Sequence, residues 1–270
     1  MKLVTFVAVV YNNYDDTVEF LQSLGSLTSG RVTTRCVVVD NSNDQGVSAG
    51  LDALVERFGF VQVLRPPNNV GYFGGFNYYF GQVTQLTSDA VVLCNNDVVI
   101  ASNFVENLST GQYPEDVFVV CPDVVTLDGR HQNPHVVRPR SRLQRLKLDL
   151  YFSSYFMASL LSGVRGFCSF SLGRNARAGS LQPQYLHMGI GACYVLLPAF
   201  LSRYDRLEYP HFLYGEEAYL SRQVHAAGGR LYFDPRLVVQ HKDSATLSTL
   251  PKQKTYKFAR DGYWSYRKFY

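Results

Sequence analysis

Leu3-Val4-Thr5-Phe6-Val7-Ala8-Val9-Val10, running straight into Tyr11-Asn12-Asn13-Tyr14, is the stretch on which the fold turns. An unbroken apolar and β-branched run of this length is the pattern of a strand buried on both faces, as strands of a parallel sheet are. Lys2 ahead of it imitates a secretion signal, but there is no small-residue cleavage site and β-branched side chains favour a strand. The end of the run is as telling as the run itself. A nicotinamide dehydrogenase would turn here on a GxGxxG, and this chain has no glycine at that place.

Outward from this strand the rhythm repeats. Val18, Leu21 and Leu24 mark a helix for which Asp16 and Glu19 supply an Asp-x-x-Glu capping box. The strand Cys36 to Val39 follows, then a helix through Leu51, Leu54, Val55 and Phe58 with Ser48 as its cap. A strand over Phe60 to Leu64 leads into a glycine-rich turn and a helix through Phe76, Phe80 and Val83, and Ala90 to Leu93 is the fourth strand. Strands alternating with helices in this way predict a parallel sheet in an α/β domain. Beyond Cys121, Leu127-Asp128-Gly129 reads as a hairpin turn and Arg138 to Lys147 as a basic stretch entering Leu150-Tyr151-Phe152. Strand-like sequence returns at Cys193 to Leu197, a helix is expected from about Glu216 to Ala227, and two short strands near Leu231 to Phe233 and Val238-Val239.

The 270 residues are 46% hydrophobic, enough for one large packed domain, and disorder is not expected. A net charge of +4 is mild and suits anionic small molecules or an anionic membrane surface better than a nucleic-acid grip, so no nucleic-acid partner is expected. Of the five cysteines, Cys36, Cys94, Cys121 and Cys193 lie in or beside apolar runs and none forms CxxC, which predicts buried, reduced thiols in a cytosolic protein. No segment reaches the roughly 20 apolar residues of a spanning helix, so any membrane contact would be peripheral.

Ligands of an open parallel sheet bind at the carboxyl ends of its strands. Those ends are polar here: Tyr11-Asn12-Asn13, Asp40-Asn41-Ser42, Asn68-Asn69-Val70-Gly71 and Asn95-Asn96-Asp97. Asp40 can accept from a ribose hydroxyl or a pyrimidine N–H, or simply open an Asx turn. Gly71 to Gly75 lets backbone approach an anionic ligand at a helix start, or makes a tight turn. Asp97 is a candidate ligand for Mg²⁺ or Mn²⁺, with His241 as a second one on the same rim; a structural loop acid and an ordinary polar histidine are the alternatives. Tyr214-Gly215-Glu216-Glu217 places two carboxylates where a helix begins, one more than capping requires. The surplus acid is a candidate catalytic base.

Taken together these residues resemble glycosyltransferase family two, with its GT-A fold, and most closely its bacterial rhamnosyltransferase-type branch. The resemblance rests on Val10-Tyr11-Asn12, Val39 to Ser42, Asn69-Val70-Gly71 through Gly75-Phe76-Asn77, Asn95 to Val98, Gly191-Ala192-Cys193, Phe212 to Glu217, Arg222, Gly228, and Val239-Gln240-His241 followed by Ser244. It implies a GT-A domain over residues 1–245, with nucleotide-binding and acceptor-binding halves divided at residue 121, and a basic, aromatic segment over 246–270. It further implies Asp40 at the donor's base, Tyr11, Asn12, Asn69, Gly71, Asn77, Asn95 and Asn96 around the nucleotide sugar, and Asp97 as the remaining carboxylate of a DxD-type metal motif whose first acid is Asn95 here. Glu217 takes the place of the base and Glu216 supports the acceptor or the loop, with exchanged roles as the alternative. Adjacent helical residues diverge by about 100°, so the two acids do not form the straddling pair a glycosidase needs. The expected activity is inverting, metal-dependent transfer of rhamnose or another hexose from a nucleotide-diphosphate sugar, dTDP or UDP favoured, to a glycan or polyprenyl-linked acceptor in surface polysaccharide assembly. Such an enzyme works in the cytoplasm or at the inner face of the membrane. The competing expectations are a non-catalytic nucleotide-sugar-binding or scaffolding subunit, suggested by Asn95, and a nucleotidyltransferase on a similar sheet.

Overall fold

The computed structural model describes residues 1–28, 30, 32–83, 87–162, 181–242 and 252–269. Ser244, quoted above for the resemblance, lies outside them. The sheet has β1 (Leu3–Val10), β2 (Thr33–Asp40), β3 (Val61–Leu64), β4 (Ala90–Asn95), β5 (Val98–Ile100), β6 (Val117–Thr126), β7 (Gln184–Leu186), β8 (Cys193–Leu196) and β9 (Arg230–His241). Its order is β3-β2-β1-β4-β8-β6-β9-β5, with β7 on β9. The first four strands are parallel, as their alternation with α1 (Tyr14–Gly25), α2 (Gln45–Arg57) and α3 (Tyr72–Gln82) predicts. Antiparallel β8 then inserts between β4 and β6, and it brings residues near 191 to the carboxyl end of β4.

Period-two alternation along β1 divides the core. Val4, Phe6, Ala8 and Val10 face Phe20, Leu51 and Phe104 on one side of the sheet, where α4 (Phe104–Thr110) joins α1 and α2. Val7 faces Phe73, Phe76 and Leu220 on the other, with α3, the single turn α7 (Pro198–Leu201) and α8 (Glu216–Ala226). The result is a mixed α/β sandwich of helices on a central sheet. A third cluster joins α5 (Arg142–Tyr151) and α8 to α9 (Lys252–Tyr266) through Leu148, Tyr219, Tyr263 and Tyr266. Cys36, Cys94, Cys121 and Cys193 are buried free thiols, and burial pushes each above its ordinary value.

Three local expectations are corrected. Helix α1 starts earlier than its supposed box, because Asn13 accepts from the Asp16 N–H and is the true cap; Asp16 and Glu19 instead pair with Lys242 at 2.7 and 2.6 Å. Helix α2 is capped by Asp44, and Ser48 donates to Asp40 at 2.6 Å from inside the helix. The two short strands near residues 231 and 238 are one strand, β9. A register shift carries it past Pro235, which cannot donate to a ladder: Pro122 pairs with Asp234 and Asp123 with Val238. The turn at Leu127-Asp128-Gly129 is where it was expected, with Gly129 at φ +77°.

Candidate active site

The side of the rim expected to receive a nucleotide is built from turns that tie strand ends together. Asp40 is buried and well partnered: one oxygen accepts from the Ser42 N–H at 3.0 Å, the Asx turn, and the other from Ser48 Oγ at 2.6 Å and Arg65 Nε at 3.3 Å. Asn12, left-handed at φ +50°, accepts from the backbone of Asn43 and Asp44 and so joins the end of β1 to the start of α2. Tyr11 beside it is exposed. Asn69 accepts from the Gly71 N–H at 3.0 Å, and Asn41 donates to the Gly71 carbonyl at 2.9 Å. Gly71 has φ +78°, and a Cβ there would lie 2.3 Å from the Phe212 carbonyl oxygen. Gly71→Ala is therefore expected to cost about 2 to 3 kcal/mol in urea unfolding, backbone strain and overpacking together.

Two expected nucleotide contacts are committed elsewhere. The Asn77 amide clasps Leu207, donating to its carbonyl at 2.9 Å and accepting from its N–H at 2.7 Å. Asn96 donates to Asn13 and Thr17 at the start of α1. Both place loops around the cleft.

At the next strand end Asn95, Asp97 and His241 converge. His241 Nδ1 lies 2.8 Å from Gln132 Oε1 and donates to it, which orients the ring with Nε2 toward Asn95 and Asp97. Nε2 lies 3.3 Å from Asn95 Nδ2 and 3.3 Å from Asp97 Oδ1. The latter two atoms are close enough together for one cation to bind both. The donor set, one carboxylate and one neutral imidazole oriented from behind, suits Mn²⁺ or Mg²⁺ completed by phosphate oxygens and water. Among the described residues no cluster of three or more acidic, histidine or cysteine side chains forms a site without such help. Gln132→Ala is expected to weaken Mn²⁺-dependent nucleotide binding about 10-fold or more by releasing the ring, read by titration calorimetry.

The acid pair sits across β8. Tyr214 at φ +71° and Gly215 at φ +101° turn the chain into α8, and a Cβ on Gly215 would strike the Tyr266 ring. Glu216 is buried; burial and then repulsion from Glu217 push its carboxyl up to about 8, against the pull of nearby backbone N–H groups. Glu217 is only partly covered, accepts from the Gly191 N–H at 3.3 Å, and is also raised by burial. Between about pH 4.5 and 8 the folded chain thus holds a proton on Glu216 that the unfolded chain releases, so stability falls as pH rises through that window. Glu216→Gln is expected to flatten this slope in urea melts taken across the window.

The two halves meet through the backbone. Gly191 binds Glu217; its neighbour Ala192 accepts from the Asn95 N–H at 3.0 Å; Asn95 in turn touches His241, and His241 touches Asp97. Tyr72 donates to the Gly191 carbonyl at 2.8 Å, and its hydroxyl is raised by burial and then by Cys94, Cys193, Glu216 and Asp97. Asn133, fully buried, accepts from the Ile190 N–H at 3.0 Å, so consecutive residues 132 and 133 brace the histidine and the loop behind Glu217. Sequence reading assigned none of these roles to Tyr72, Gln132 or Asn133. The only local signal was a run of side-chain amides and histidines, His131-Gln132-Asn133, after the hairpin.

Residues 5–165, more than half of the chain, match the model of a family described as Glycosyl transferase family 2. No curated protein matches the chain in sequence. Solved structures of similar fold include GalNAc-T7 with UDP, GalNAc and Mn²⁺, at TM-score 0.61 and 14% identity over 89% of this chain and 44% of that one. Staphylococcus TarS (S. aureus) gives 0.56 and 14% over 90% and 37%. Mannosyltransferase PcManGT from Pyrobaculum calidifontis, in complex with GDP-Man and Mn²⁺, gives 0.60 and 14% over 98% and 62%. At such identity the likeness speaks for the fold, the GT-A arrangement, and the chain spans less than two thirds of each of these proteins.

Proposed function

The chain belongs to glycosyl transferase family 2, and from that premise we propose that it moves a hexose from a nucleotide-diphosphate sugar to an acceptor hydroxyl with inversion. The observation that carries this reading is the unbroken line of contacts from Glu217 through Gly191, Ala192 and Asn95 to His241 and Asp97. That chain of contacts links Glu217 to the Asp97 and His241 pair, which supports reading them as the base and the cation site of a single displacement. Asp40, Asn12 and the Asn69 to Gly71 turn receive the nucleoside. Glu217, the more accessible acid, takes the acceptor's proton as its oxygen attacks the anomeric carbon, and the bond to the diphosphate breaks with its electron pair leaving on phosphate oxygen. A divalent cation held by Asp97 and His241 would supply charge neutralisation to the departing diphosphate.

The acceptor is a glycan or a polyprenyl-linked sugar of surface polysaccharide assembly, with a dTDP-rhamnose or UDP-hexose donor. UDP with Mn²⁺ in GalNAc-T7 and GDP-Man with Mn²⁺ in PcManGT support the class of donor and metal. The test is thermal-shift screening of uridine, thymidine and guanosine diphosphates with and without Mn²⁺; one base is expected to stabilise the chain, and more so with metal. Stabilisation by none of them would end the reading. Asn95 in place of an acid favours a second one, a non-catalytic subunit that binds nucleotide sugar, which turnover by the purified chain would eliminate.

A further inference from the structure

The surface made by α5, α9 and α6 (Tyr155–Ser162) differs in chemistry from the rest of the molecule. On α5, Leu143, Leu146 and Leu150 share one helical face and are 63%, 63% and 46% exposed, while Leu148 on the opposite side is buried against the body. Phe156 and Leu160, one turn apart on α6, are 74% and 57% exposed. Helix α5 thus holds the fold with one apolar face and leaves a second uncovered, which marks an interaction surface. The segments that carry this surface are predominantly basic in sequence. Residues 138–162 and 252–269 contain eleven lysines and arginines against two aspartates, although the whole chain carries only +4. One of those aspartates, Asp149, is already paired with Arg267. Where α6 begins, a cavity of about 590 Å³ opens toward α9, lined by Ser154, Tyr155, Tyr256, Lys257 and Arg260 among others, a set of hydroxyls and cations suited to a phosphate head.

We propose that this face docks on an anionic lipid bilayer: the leucine stripe and Phe156 enter the boundary between headgroups and acyl chains, and the basic residues bind lipid phosphates. No helix among the described residues is long and apolar enough to cross a membrane, so the contact is interfacial. A second copy of the chain is disfavoured as occupant because it would oppose two strongly positive surfaces. Docking also bears on the cleft. Helix α9 clamps the loop ahead of Glu216: His211 Nε2 lies 2.7 Å from Ser265 Oγ, and Gly262 and Tyr266 lie against Tyr214 and Gly215 with no room for a Cβ.

The test is flotation of the full chain with vesicles of phosphatidylcholine alone and of phosphatidylcholine mixed with phosphatidylglycerol. Binding to the mixed vesicles is expected to be about tenfold tighter or more, and to weaken with salt. The double variant Leu146→Glu, Phe156→Glu alters only exposed positions; it is expected to keep the melting temperature and to lose about tenfold or more in vesicle affinity. Absence of binding to both vesicles, or binding that the variant leaves unchanged, would overturn the proposal. So would a wild-type dimer that the variant converts to monomer, which would give the face to a second copy. The measurement uses neither donor nor metal, so its outcome is independent of the transferase reading.

Discussion

Glu217→Gln is expected to lower sugar transfer about 10²- to 10⁴-fold, the usual share of a positioned general base, while nucleotide binding stays within about twofold. The amide keeps the shape of the carboxylate and an oxygen for the Gly191 N–H, so the loop at 191 has no reason to move. Its effect should fall on kcat and leave the KM for donor alone, the signature of a group that acts in the transition state. Because burial holds the Glu217 carboxyl above the ordinary range, kcat/KM in the unaltered chain should climb with pH beyond the usual carboxylate window as the base loses its proton. Full transfer by Glu217→Gln, with loss in Glu216→Gln, would exchange the two roles.

Asp97→Ala should remove the Mn²⁺-dependent part of nucleotide binding, so that thermal shifts with and without metal coincide, and cut transfer by about 10²-fold or more, several kcal/mol of lost charge stabilisation. The backbone at 97 is held separately, its carbonyl accepting from the Lys242 N–H at 3.0 Å. Loss of the side chain therefore tests the ligand and spares the architecture. Metal-dependent binding that survives in Asp97→Ala would place the cation elsewhere.

Much of this site is legible in the chain because the residues end strands. Asp40, Asn95 and Asp97 stand at or just past the last apolar residue of β2 and β4, and an open sheet presents those ends on one edge whatever its detailed packing. The acid pair is legible for a similar reason: Gly215 precedes an amphipathic helix, so both carboxylates begin it. Cap positions were less so. Asn13 and Asp44 out-competed Asp16 and Ser48 because several residues in each loop can accept from an orphan N–H, and tertiary bonds choose among them: Asp16 is drawn to Lys242 and Ser48 to Asp40.

The two strands expected near residues 231 and 238 merged for a related reason. Pro235 breaks the local pattern, but β6 offers a ladder on both sides of it and tolerates the shift in register. Insertion of β8 beside β4, a hundred residues away in sequence, had no local signature either, yet it is what carries Gly191 to Asn95 and hence links Glu217 to the strand end that holds Asn95 and Asp97.

Periodicity and residue type alone determined the alternating strands and helices, the polar strand ends and the pair of acids, since each depends on neighbours within a few residues. Only the folded chain decided that Gln132 turns the His241 ring, that Asn133 braces the loop at 190, and that Glu217 stays partly uncovered beside Gly191 while Glu216 is buried. Those are directions of single side chains, and they are set by partners that lie 26 to 109 residues away and become neighbours only when the sheet closes.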